Sequence, residues 1–297
     1  MSRNNGIFKF IIFISCLSII AFSFSALNKE KAYKAYLSEQ KKFIQKKQPS
    51  KMQEELVCSV ESPDVYEGKN IVERFAEPFG YSRVPYENDS FGEYVRSYPI
   101  YSYGSKVLMY DGSQSDRQWM AAAVFQLPLE NYDLQQCADS VMRWYVEYYF
   151  AIQKHECIRF HFIDGSLHSW VESEGYDGTY ENLLDFLKVV FNHANTVSLE
   201  RESEPVSFDD LQIGDILVRG GYPGHALMVV DVAENEKGNR AILLGQGLMP
   251  AQQFHVVINP GHINDPWYYY TELSDTITTP GYTFLVTDFK RPIFGTE

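Results

Sequence analysis

Cys137, His225 and Gln246 are the side chains whose types and spacing could do chemistry together. The stretch DLQQCADSVMRWYVEYYF predicts a helix opened by Asp133, with Gln136 three residues on in a capping-box pattern. Cys137 then falls in the first turn, where the partial positive charge of a helix N-terminus stabilises a thiolate. A nucleophilic cysteine also needs a base that becomes its ion-pair partner. His225 is presented behind a glycine turn at the mouth of an apolar strand, GGYPGHALMVVDV. From there the chain runs out to Ala233, turns at 234–239 and returns through RAILLGQG, so a hairpin brings Gln246 back beside His225. A third polar group at that place can orient the imidazole. In that arrangement Cys137 attacks an amide, His225 exchanges the proton, Gln246 orients His225, and the Cys137 backbone amide helps to hold the oxyanion.

Plainer readings use the same residues. Leu134, Ala138, Val141, Tyr145 and Tyr148 form an apolar stripe with Cys137 at its edge, the setting of a buried and inert thiol. His255 is a second candidate to orient the base, and Asn259 lies two pleats along the same strand face, so both could line one cleft. Gln136 and Asp139 flank the cysteine as further cleft candidates. Asp133 and Asp139 either hold a cation or an amine or simply cap the helix, and Arg143 is placed to pair with Asp139 at i, i+4. Trp267 with Tyr268, Tyr269 and Tyr270 forms either a pocket wall or core. No metal and no cofactor is expected, because the seven histidines include no HExxH and the cysteines no CxxC.

Charge narrows the partners. From residue 52 onward, 16 Lys and Arg face 37 Asp and Glu, a net charge of −21. So acidic a body repels phosphate backbones, which argues against nucleic acid. The N-terminus differs: Arg3 and Lys9 precede or flank an uncharged apolar run ending in Ser23-Phe24-Ser25, the pattern of an export signal. The run is also long enough for an uncleaved membrane anchor. Residues 1–27 are read as signal or anchor, 28–69 as a Lys-rich stalk or linker, and 70–297 as one globular domain. Export to the periplasm or envelope, with membrane contact through an uncleaved N-terminus, is the expected location.

The elements that must position the candidates follow from periodicity. A short helix opens at Asp89 or Ser90, and 106–127 reads as two strands around a polar turn. Residues 157–170 alternate around Asp164-Gly165 as a hairpin, and 180–194 form an amphipathic helix. Strands dominate from Asp215 onward. Helices first and strands later predict an α+β fold with helices packed on a mainly antiparallel sheet.

The order of helix-tip Cys137, Gly214-Asp215 at a strand start and strand-leading His225 resembles the NlpC-type cysteine peptidase and amidase superfamily. That resemblance implies a papain-like arrangement and a peptidoglycan peptide or other amide as substrate. The stretch Gln136-Cys137-Ala138-Asp139 departs from the superfamily's usual Asp-Cys-Ser-Gly. A broader resemblance, carried by RFAEPFGYSRV, SFGEYVRSYPI, YDGS, DLQQCADSVMRWYVEY, GDILVRGGYPGHALMVVDVA, LLGQGLMPAQQFHVVINP and PWY, is to domain of unknown function 4846. It spans roughly residues 72–293 and names no reaction. Two classes stay open: an exported thiol-dependent amide hydrolase acting on cell-wall peptides, and a non-catalytic envelope binding or scaffold module on a papain-like fold.

Overall fold

The computed structural model describes residues 68–262, 264–272 and 274–294. The expected signal or anchor and nearly all of the Lys-rich stalk lie outside the described residues. Among the described residues, no helix is long and apolar enough to cross a membrane.

The first half carries α1 (Ile71–Arg74), β1 (Tyr81–Arg83), α2 (Phe91–Ser97), β2 (Ala121–Val124), α3 (Cys137–Ala151), β3 (Arg159–His161), β4 (Leu167–Ser169), α4 (Tyr180–His193) and α5 (Thr196–Arg201). The second half carries β5 (Ser203–Pro205), β6 (Ile216–Arg219), β7 (His225–Asn235), β8 (Arg240–Gln246) and β9 (His255–Val257). After these come β10 (Tyr268–Tyr269), β11 (Thr276–Thr279), β12 (Tyr282–Leu285) and β13 (Phe289–Pro292). The fold is α+β with a large antiparallel sheet. Its main path runs β2-β9-β8-β7-β6-β13-β5, with β1 also paired to β7 and β10 to β8.

Local sequence explains the helix ends. Ser90 caps α2 by accepting the Glu93 N–H at 3.3 Å, and Thr179 caps α4 by accepting the Asn182 N–H at 3.2 Å. Along α4 the buried positions Leu183, Phe186, Leu187, Val190 and Phe191 recur at helical spacing and seat that face on the core. The expected start of α3 at Asp133 is corrected. The helix begins at Cys137, and the carboxylate that closes its end is Asp139, which accepts the Gln136 N–H at 3.0 Å. Asp133 is engaged elsewhere, accepting the Ala251 N–H at 2.6 Å.

Of the two strands expected over 106–127, only the second forms, as β2. The first arm makes isolated bridges from Leu108 to Gln114 and from Met109 to Gln252. Side-chain amides replace the missing ladder there: Gln118 accepts the Val107 N–H and Gln253 the Leu108 N–H, each at 2.9 Å.

The central strands β7 and β8 are buried along nearly their whole length, because both sheet faces are covered. Trp144 of α3 packs against Phe254 with ring centroids 5.6 Å apart, which puts α3 on the face shared by Gly245, Phe254 and Val256. Tyr282 and Phe284 of β12 lie against the opposite face, their rings 5.7 and 6.2 Å from that of His225. A carboxylate sits inside this sheet. Asp231, at the bulge of β7, accepts from Arg83 of β1 and Arg96 of α2, each at 2.7 Å. The two guanidiniums compensate a carboxylate that is fully buried.

Candidate functional site

β7 opens at His225 because the turn before it is closed too tightly for a side chain. A Cβ on Gly224 would stand 2.5 Å from both the Gly221 carbonyl and the Thr196 hydroxyl. The β7–β8 hairpin then returns Gln246 beside His225, as the sequence predicts. β9 adds His255, paired in register with Gln246. The three side chains share one sheet face and form a chain of hydrogen bonds. His255 donates from Nδ1 to the Gln253 carbonyl at 3.0 Å, so its Nε2 carries a lone pair, which lies 3.3 Å from the Gln246 amide nitrogen. The Gln246 oxygen in turn accepts from His225 Nε2 at 2.8 Å. That sequence of donors fixes both tautomers and leaves His225 Nδ1 as a lone pair. Burial pushes both imidazoles down to about 4, so they are neutral near pH 7.

Cys137 is the first residue of α3 and is partly exposed. Its thiol is pushed up to about 11, chiefly by burial of the sulfur and next by the Asp139 carboxylate. The backbone N–H groups of Ala226, Ala138 and Cys137 itself pull in the other direction and are outweighed. The expected lowering by the helix end is therefore overridden. The influence of the Ala226 amide sets the thiol beside the residue that follows His225. Yet among the described residues the thiol makes no hydrogen bond to His225, whose ring is held by Gln246. Asp139, with one oxygen on the Gln136 N–H and the other unpartnered, is pushed up to about 8 by burial.

Other candidates have structural partners. Gln136 donates its side-chain amide to Asp133 at 3.3 Å. Arg143 pairs with Glu147 at 2.6 Å and donates to the Tyr180 hydroxyl at 2.7 Å, not to Asp139 as helical spacing suggests; Asp139 is turned back onto the N-cap. β9 ends at Val257, so Asn259 does not share a strand face with His255. It pins the following turn, donating to the Trp267 carbonyl at 2.7 Å and accepting the Gly261 N–H at 2.8 Å. Trp267 and Tyr268 are core, while Asp215 is buried against Arg291 at 2.8 Å. Among the described residues, no group of three or more His, Cys, Asp and Glu could hold a metal.

Two open clefts are lined by other residues. One, of about 430 Å³, is lined by residues including Arg159, His161 and Glu202. The other, of about 540 Å³, runs beside β2 and is lined by Arg74, Tyr103, Lys106 and Ala121–Val124. Neither is lined by Cys137, His225 or Gln246. Sequence reasoning missed Arg74, since nothing in the spacing of RFAEPFG marks an arginine whose acceptors are backbone carbonyls.

No curated protein and no solved structure matches the chain. A family model described as domain of unknown function 4846 matches residues 71–291, which takes in β1 to β9 and the whole hydrogen-bonded set. The chain belongs to that family.

Proposed function

We propose that the chain is a non-catalytic binding module of the cell envelope, built on a papain-like order of elements. The observation that carries this reading is the state of Cys137. Its thiol is raised to about 11 and is bonded to no imidazole among the described residues, whereas a nucleophile needs a lowered pKa and a partner base. The order of helix-tip cysteine, strand-leading histidine and glutamine on the next strand then serves as scaffold. His225 and Gln246 act as a buried polar staple that fixes the hairpin. Placement in the envelope rests on the apolar N-terminal run and its flanking Arg3 and Lys9.

A thiol hydrolase is the second reading. It is favoured by one feature: the Ala226 amide that acts on the thiol belongs to the residue after His225, whose Nδ1 is a lone pair not taken by Gln246. Incubation of the full-length chain with peptidoglycan-derived peptides separates the two. The binding module releases no new amine. Release that disappears in Cys137→Ala overturns it.

A further inference from the structure

The cleft beside β2 combines three features that together describe a ligand. The first is an unsatisfied cation. Arg74 is 3% exposed and donates from Nη2 to the Gly68 and Tyr101 carbonyls at 2.8 and 2.9 Å. Its Nε is buried without an acceptor, and among the described residues no carboxylate pairs with the guanidinium. A buried charge left in that state is costly unless an anion completes it. The second is Lys106, exposed on the same cleft and likewise without an ion pair among the described residues, in a body whose charge is strongly negative.

The third is an open strand edge. Among the described residues β2 is terminal in the sheet, paired through the ladder only to β9. Its downstream end is closed, since the Val124 carbonyl accepts the Tyr101 N–H at 2.8 Å. Upstream, Ala121 to Ala123 face the cleft, and the register with β9 skips Ala122. Small side chains let another backbone approach there, and an edge strand offers it donors and acceptors.

We propose that this cleft binds a short extended peptide by its free C-terminal carboxylate. Arg74 and Lys106 take the carboxylate, and the Ala121–Ala123 edge takes the peptide backbone. Nη1 is the arm of Arg74 left to meet the carboxylate, through a charge-assisted hydrogen bond, since both hydrogens of Nη2 already go to backbone carbonyls. The ligand class deepens the binding-module reading and rests on it for its biological sense, but the site has a test of its own.

Calorimetric titration of the full-length chain in mild detergent uses two probes, acetyl-trialanine with a free carboxylate and the same peptide as its C-terminal amide. The free acid is expected to bind at least ten-fold tighter than the amide, with the preference lost in Arg74→Gln and reduced several-fold in Lys106→Gln. Lys106 is exposed, so its variant keeps the test open even where Arg74→Gln fails to fold. Equal affinity for acid and amide, no binding of either up to millimolar peptide, or a folded Arg74→Gln chain with unchanged affinity overturns the site. Cleavage of the bound acid would instead sink the non-catalytic reading and leave the cleft assignment standing.

Discussion

His225 Nε2 lies 2.8 Å from Gln246 Oε1, joining the first residue of β7 to the last residue of β8 across the hairpin. Both groups are almost completely buried, so neither can exchange this bond for one to water. Gln246→Ala therefore strands an N–H on His225 and a lone pair on His255. We expect a loss of about 1–3 kcal/mol in urea unfolding. Nitrogen NMR of the parent protein should show His225 protonated at Nε2 only and His255 at Nδ1 only. Protonation of His225 at Nδ1 contradicts the assigned donor sequence.

The two buried imidazoles and Asp139 give stability opposite pH slopes. Each histidine holds fewer protons folded than unfolded between about pH 4 and its ordinary 6.5, so stability falls as pH drops through that window. Asp139 stays protonated up to about pH 8 when folded, against an ordinary 3.8, so stability falls as pH rises between those values. Two histidines outweigh one aspartate below pH 6.5, and Asp139 acts alone among the three above it. Their joint contribution peaks near pH 6.5. Asp139→Asn should remove roughly 2 kcal/mol of the decline between pH 6.5 and 8, read by urea unfolding at both pH values. An unchanged decline places the titration elsewhere.

Asp231 anchors β1 and α2 to the sheet through two guanidiniums. Replacing it leaves two arginines facing a buried position without an anion. Asp231→Ala should cost about 3–5 kcal/mol, far more than loss of an exposed ion pair. A loss under 1 kcal/mol in denaturant unfolding shows that water or another carboxylate takes over.

Gly247 sets how closely α3 approaches the end of β8. A Cβ there would stand 2.2 Å from the Ser140 hydroxyl and 2.9 Å from the Gln136 carbonyl. Gly247→Ala should destabilise by about 1–3 kcal/mol, and adding Ser140→Ala should recover part of that, since the hydroxyl is the closer obstacle. Simple addition of the two single effects in a double-mutant cycle would contradict this geometry.

Legibility of the sequence divided along local and non-local lines. The β7–β8 hairpin, the β3–β4 hairpin and α4 were readable because turn residues and apolar period act over a few positions. Gln246 returning to His225 followed from hairpin geometry alone. The start of α3 was misplaced because Asp133 and Asp139 both suit a cap, and the choice is made by Ala251, 118 residues beyond Asp133. The thiol of Cys137 was read for acidity from its helix position, while burial of the sulfur and the carboxyl at Asp139 decide it. Both depend on packing that no local pattern records. Arg74 and its cleft were invisible for the same reason: an unpaired cation is defined by what fails to come near it.

The most direct test of the account is the pH dependence of Cys137 alkylation by iodoacetamide, on the full-length chain with Cys16, Cys58 and Cys157 changed to Ser. The account predicts a slow reaction at neutral pH that rises steeply only in the alkaline range, following a thiol near 11, and the same profile in His225→Ala. A thiolate titrating well below the free value of about 8.5, and moving upward in His225→Ala, would show an activated nucleophile and contradict the non-catalytic reading.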